Sequence, residues 1–460
     1  MRASHTAAAV SATFDEPNLV SCAGLVPVLR LAERAGLHAT ADRRVRLPVS
    51  AGSGAANPGA KITSIVAGMV AGADSIDDLG VIRHGALPGL FGGIRAPSTL
   101  GTFLRGFTWG NVRQLDAVAR EILTGLSRNA PLLPGADQYS FLDVDSTINR
   151  VYGYAKQGAD YGYTRVRGLH PLLATLSTPI AAPVMAGTRL RRGSAGSAKG
   201  AASFVAEAIT TARAAGATGE LLARMDSALD NHAVVSTCIR AGVRFSITTK
   251  QTRPVRAAID AISQDAWVPI AYPHAIYDED TKQWISDAEI AETTYTAFRS
   301  RRKSERITVR LIVRRVRDKN VVAGQGELFT AWRYHAFITD SVVELVQAEK
   351  QHREHAIIEQ VNADLKDSAL AHMPSGSFAA NAAWLALAAI AHNLTRAAGC
   401  LASLFHAKAR TGTLRRHLIT VPARIARRSR RIILRLPTNW PYQDCFNDLF
   451  TATHAPPHRA

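Results

Sequence analysis

Cysteine is nearly missing from this sequence: its 460 residues hold four, Cys22, Cys238, Cys400 and Cys445, with no short paired spacing. That excludes a disulfide scaffold and a thiolate zinc site, and predicts free buried thiols. Acidic residues are also in short supply, 37 Asp and Glu against 55 Lys and Arg, for a formal net charge of +18. Such an imbalance implies a polyanionic partner, nucleic acid or an acidic membrane surface. Long apolar runs are absent too, which weakens the membrane alternative. The longest, Ala379 to Ile390, is Ala-rich, interrupted by Asn381 and shorter than the roughly 18 to 20 residues a span needs, so a buried helix is expected. Ser11, Thr13, Asp15 and Glu16 break up the amino terminus, leaving no signal-peptide core; a cytoplasmic chain with no membrane association is the expectation.

What is present is the composition of a globular chain, 47% hydrophobic, long enough for several folded units. Residues 1–130 alternate helical patterns with Gly and Pro breaks, and the cleanest helix is expected from Val112 to Leu126, with Leu115, Val118, Ile122 and Leu126 on one stripe. We expect a helical N-terminal DNA-binding domain there. From Gln138 the texture changes to strands: Tyr139 to Val144, Val151 to Tyr154 and His170 to Thr175. A helix (Ala201 to Ala214), a strand (Leu221 to Met225), a second helix (His232 to Ala241) and a second strand (Val243 to Thr248) follow. Three strands and then alternating helix and strand is the order of an α/β ribonuclease H-like fold, an order that many α/β domains share in part. The sequence therefore divides into a first core segment (135–265), a β-rich insertion (266–341), a second core segment (342–400) and a basic C-terminal region (401–460). In the insertion, Ile307, Val309, Leu311 and Val313 alternate with Arg306, Thr308 and Arg310, predicting a strand with one apolar and one largely basic face.

Three segments carry carboxylates that call for a reason. In Leu142-Asp143-Val144-Asp145-Ser146-Thr147, two acidic residues sit in a strand, where propensity disfavours them. Period two puts both on one face. The plain alternative is that Asp145 starts a turn with Ser146 and Thr147. In Arg224-Met225-Asp226-Ser227, an Asp closes a strand at the end where α/β sheets gather ligands; it could equally cap the next helix. In the run from His352 to Lys366, a helical period aligns His352, His355, Glu359, Asn362 and Lys366 opposite Ile357, Val361 and Leu365. A solvated polar face is the alternative there. Taken together the three make chemical sense, because phosphodiester cleavage by two metal ions needs carboxylates converging from separate elements, and Mg²⁺ needs few of them.

These segments resemble a known family, the DDE transposases of bacterial insertion sequences, in the group whose signature is Tyr-x2-Arg-x3-Glu-x6-Lys. More narrowly they look like the insertion-sequence group numbered thirteen-eighty. The likeness is carried by LDVDST (Leu142 to Thr147), ADYGYTRVRGLHPLLA (Ala159 to Ala174), RMDS (Arg224 to Ser227) and HREHAIIEQVNADLK continuing to Leu394. The resemblance implies Asp145, Asp226 and Glu359 as the catalytic, metal-binding triad, with two Mg²⁺ ions and Mn²⁺ as a substitute. The spacing of Glu359 and Lys366 fits, while the signature Tyr and Arg positions fall on His352 and His355. It further implies cut-and-paste transposition: hydrolysis at the element's inverted-repeat ends, strand transfer into target DNA, and a homodimer on double-stranded DNA.

The expected DNA-phosphate contacts are His352, His355, Lys366 and Arg353, joined by Arg306, Arg310 and Arg314 on the insertion strand. A second basic run holds Arg424, Arg427, Arg428, Arg430 and Arg431. Two other functions fit the same residues: a simple ribonuclease H-like nuclease, or an inactive transposase-derived DNA-binding protein.

Overall fold

The computed structural model describes all residues except 1–3, 5–8, 49–53, 153–154, 163–164, 197, 274, 280–281, 318–331, 430 and 457–460. Arg430 of the basic tail and Tyr154 of an expected strand thus lie outside the described residues.

Nine strands form one mixed sheet: β1 Tyr139–Ser146, β2 Leu172–Thr178, β3 Ala181–Arg189, β4 Glu220–Met225, β5 Arg244–Thr248, β6 Val268–Pro269, β7 Ala288–Ala297, β8 Ile307–Arg317 and β9 Trp332–Thr339. Their spatial order is β6-β7-β8-β9-β5-β4-β1-β2-β3. β4 runs parallel to β1 and to β5, and every other pairing is antiparallel. Four of the strands between 266 and 341, expected as an insertion, continue this sheet: Phe337, Ile338 and Thr339 of β9 pair with Thr248, Ile247 and Ser246 of β5. Ile276–Asp278 and Gln283–Ile285 form a separate hairpin. β2 is buried at every residue, as befits a central strand covered on both faces.

Helix α1, Trp109–Asn129, starts at a capping box in which the Thr108 hydroxyl accepts from the Asn111 amide and Asn111 Oδ1 accepts from Thr108 N–H. Leu115, Val118, Ile122 and Leu126 are buried along it, the stripe the sequence predicts. A Cβ at Gly125 would stand 2.5 Å from the Ala35 carbonyl oxygen. Only glycine lets α1 approach the helix Leu25–Arg34 and the residue that follows it so closely. Helices α2 (Ala201–Ala214) and α3 (His232–Arg240) fall where the pattern puts them.

The run from His352 to Lys366, expected on one helix, falls on two. Helix α4 (Leu345–Arg353) and helix α5 (Ile357–Lys366) are separated by a 3-10 turn over Glu354–Ala356.

Helix α6, Phe378–Ala402, outruns its apolar stretch; it is long and apolar enough to cross a membrane by length and composition, yet its most apolar window is 89% buried. It packs against α1, β3 and the helix Pro58–Ala71, and the N-terminal helices and the sheet share one continuous apolar core. From α6, Asn393 reaches β3: its Oδ1 accepts from Met185 N–H at 2.7 Å and its Nδ2 donates to Met185 O at 2.9 Å, beside an irregularity in the β2–β3 register.

Loop 370–376 between α5 and α6 is tied to the segment after β1. Asn149 donates to Leu370 O at 2.8 Å, Lys156 to Ser375 O at 3.1 Å and the Gln157 amide to Gly376 O at 2.9 Å. The C-terminal region forms a hairpin of Ala423–Arg428 and Arg431–Arg435 that pairs with Leu19–Val20. Arg427, Arg428 and Arg431 are exposed on it, while Arg424 pairs with Glu16 at 3.2 Å. All four cysteines are free, Cys22 and Cys238 buried.

Candidate active site

The parallel register of β1 and β4 builds the site. Asp143 stands opposite Arg224 and Val144 opposite Met225. One step further along, Asp145 and Asp226 lie side by side at the carboxyl ends of adjacent strands, where interstrand spacing is about 4.8 Å. Period two places the buried Asp143–Arg224 pair on the same face as these two carboxylates.

Both carboxyls are held above the ordinary carboxylate range. Burial is the main cause for each, and the neighbouring Asp226 charge adds to it at Asp145. Among the described residues no Lys or Arg forms an ion pair with either. Asp145 accepts from Ser146 N–H at 2.6 Å and from Asn362 Nδ2 at 3.2 Å. Asp226 accepts from Ala228 N–H at 3.1 Å, so it also serves as the helix cap that its sequence context allows. Two adjacent half-buried carboxylates with neutral partners fit a divalent cation, whose charge would relieve both desolvation and mutual repulsion.

Helix α5 divides the predicted stripe. Asn362 reaches Asp145, and Lys366 Nζ donates to the Thr147 hydroxyl at 2.6 Å; burial pulls the Lys366 pKa down, with Asp145 opposing. Glu359 lies three residues before Asn362, hence on the same helical face, and is exposed. Among the described residues no group of three or more His, Cys, Asp or Glu side chains converges closely enough to hold a metal ion. The side-chain convergence of all three carboxylates is therefore not met in this structure.

The turn at 354–356 separates the histidines. His355 Nδ1–H donates to Asp143 Oδ1 at 2.8 Å, and its charge reaches both Asp145 and Asp226. His352, expected beside it as a phosphate contact, is turned toward β5 and β9. Its ring stacks on Phe337 at 4.0 Å and 7°, and both nitrogens are taken by the hydroxyls of Ser246 (2.8 Å) and Thr248 (3.0 Å). Burial, with the nearby charges of His355, Arg224 and Arg314, pulls its pKa down to about 3.

That shift has a pH consequence. A histidine kept neutral when folded but free to protonate near pH 6.5 when unfolded loses the fold stability as pH falls below about 6.5, and goes on doing so down to its folded pKa. His170 and His392, lowered to about 4 chiefly by burial, act in the same direction. The urea midpoint of the wild type is expected to fall between pH 7 and pH 4. In His352→Asn the matching fall in unfolding free energy should be shallower by up to about 1.4 kcal/mol per pH unit. Parallel curves for the two proteins would assign the acid sensitivity elsewhere.

A family model described as Transposase DDE domain group 1 matches residues 3–456. The chain belongs to that family. No curated protein matches it.

In this DDE transposase most arginines of the basic strand β8 have partners within the protein. Arg310 pairs with Glu292 at 2.6 Å and donates to the carbonyls of Ser341 and Val343 at 2.7 Å. Arg314 pairs with buried Glu349. Arg353 approaches the same Glu349 at 3.5 Å and lies over the Tyr272 ring. Arg306 alone of the expected strand contacts remains exposed, its Nε donating to the Arg301 carbonyl. Alternation identifies the face that carries these arginines, but their acidic partners come from β7 and α4, elements the strand's own pattern does not contain. The site's unforeseen members are Arg224 and Gln351. One signal for Arg224 was available: an arginine inside Leu221-Leu222-Ala223-Arg224-Met225 is an isolated charge in a buried strand and needs a buried carboxylate.

Proposed function

We propose that this transposase performs cut-and-paste transposition at the ends of a bacterial insertion sequence of the group numbered thirteen-eighty. The observation that carries the proposal is the adjacency of Asp145 and Asp226 at the ends of parallel β1 and β4. The order β3-β2-β1-β4-β5, with only β2 antiparallel to its neighbours, supports a ribonuclease H-like core around them. DDE transposases generally use divalent metal ions. Asp145, Asp226 and Glu359 would hold two Mg²⁺ ions, Glu359 turning in from its helix. Bound there, the ions would supply an activated water and neutralise charge on the scissile phosphate.

The chain's own residues have separate tasks in this reading. Asn362 orients Asp145. Lys366 and His355 meet phosphates flanking the cut, and the exposed arginines Arg427, Arg428 and Arg431 track the DNA backbone without reading sequence. The chain works on double-stranded DNA in the cytoplasm, as a dimer that brings two element ends together. A catalytically inactive DNA binder is the second reading, favoured by the outward placement of Glu359. Incubating the protein with Mg²⁺ and DNA that carries the flanking inverted repeats separates the two. Cuts mapping to the element ends support transposition; binding without any cut supports the inactive binder.

A further inference from the structure

One ion pair in the sheet has no evident structural necessity. Arg224 grips Asp143 with two parallel hydrogen bonds of 2.7 Å, Nε to Oδ1 and Nη2 to Oδ2. Asp143 is fully buried and Arg224 nearly so. The guanidinium lies 3.9 Å over the Phe141 ring, and its third nitrogen donates to the Gln351 carbonyl at 2.7 Å. A buried pair of this kind gives little net stability over an apolar pair of the same shape, because desolvation offsets the attraction. It does fix whatever else it touches. Asp143 touches His355, the residue on the turn between α4 and α5 whose charge reaches Asp145 and Asp226.

The geometry points to Asp143 and Arg224 as positioning residues for His355, a buried clamp that holds Nδ1 inward and leaves Nε2 for the DNA. A carboxylate can only accept, so Nδ1 must carry a proton; a DNA phosphate also only accepts, so the ring can meet it only by a second N–H, at Nε2. Among the described residues no side chain hydrogen-bonds to Nε2. Arg224 saturates the rest of the carboxylate, stopping Asp143 from turning toward Asp145 one pleat away. It also anchors the end of α4 through Gln351, so ring and helix are set by the same guanidinium. The groups around the ring are Asp143 and Asp145 on β1, Arg224 on β4, Asp226 just after it, and His352 on α4. Asp143 is thereby separated from the metal-binding carboxylates, although it shares their face and their strand.

The clamp rests on the transposase reading only for its effect on cleavage, so two measurements are combined. The first needs no catalysis. With ¹⁵N-labelled histidine, and His355 assigned by its loss in His355→Gln, Nδ1 should be protonated in the wild type, and the signal should change in Asp143→Asn. An unprotonated Nδ1, or the same spectrum in both proteins, overturns the clamp whether or not the protein cuts DNA. The second is single-turnover cleavage of end DNA in Mg²⁺ by Asp143→Asn, His355→Ala and the double variant, each checked for melting temperature and DNA affinity. Asp143→Asn should slow cleavage by about 100-fold, the usual consequence of a small misplacement, and add almost nothing once His355 is alanine. Losses that multiply would mean that Asp143 acts independently of His355. A wild type that cuts no DNA would count against the transposase reading and leave the clamp to be judged by the ¹⁵N result.

Discussion

Asp145→Ala, Asp226→Ala and Glu359→Ala are each expected to lower cleavage of element-end DNA in Mg²⁺ by at least about 1,000-fold, a loss of roughly 4 kcal/mol of transition-state stabilisation. Affinity for the same DNA should change little, because phosphates are bound mainly by cations elsewhere on the surface. Asp145 and Asp226 are adjacent through the β1–β4 register, and burial raises the pKa of both. For Glu359 the variant asks a sharper question, since its side chain is exposed and must turn in. Substantial cleavage by any one of the three removes that residue from the triad. Cleavage by Glu359→Ala alone would leave a two-carboxylate site and open a search for another ligand.

Arg224→Met should have the largest effect on stability. It leaves the Asp143 carboxylate buried without its cation, and breaking such a pair costs about 3–5 kcal/mol, a large part of a typical folding free energy. Burial raises the Asp143 pKa, but Arg224 and the His355 hydrogen bond outweigh it and hold the carboxyl below its ordinary range. A carboxylate gripped this way adds stability above its unfolded pKa, and that stability is lost as pH falls through the lower folded value. Replacing both partners, Asp143→Leu with Arg224→Met, should recover most of the melting temperature, because the paired charge then has nothing left to compensate. A double variant as unstable as the single one would show that the pair is needed for packing rather than for its charge.

Much of the core was legible because its signals are local. The apolar stripe of α1, the boundaries of α2 and the strand ending at Met225 follow from period and from turn residues, and the structure places them there. The shared face of Asp143 and Asp145 was legible too, since period two needs no tertiary information. The Asp143–Arg224 pairing was not, because it depends on which strand becomes the neighbour of β1. The histidine stripe failed for a related reason. A helical wheel assumes an unbroken helix, and the 3-10 turn at 354–356 rotates His352 away from the residues that follow. Its hydroxyl partners come from β5 and its stacking partner from β9, neither of them visible in the helix's own pattern. Of the strands from 268 to 339 only β8 is legible individually, within a block expected to be β-rich; its union with the sheet of β1 and β4 depends on β9 meeting β5, which no local pattern encodes.

The ends of the nine-stranded sheet bear on how two copies can assemble. Rows of unpaired backbone groups on outer strands are the ordinary route by which separate chains fuse into a larger sheet. One outer strand here, β6, is two residues long, and its second residue, Pro269, has no N–H to offer. At the other rim, Asn393 occupies the amide and carbonyl of Met185 in the middle of β3. β6 covers only Glu289 and Ile290 of the ten-residue β7, so that rim is shielded at one corner, while Asn393 blocks the middle of the other; a partner that joined through side-chain surfaces would leave both ladders as they are. An interface of that kind can form and separate without disturbing the strands that lead to Asp145 and Asp226.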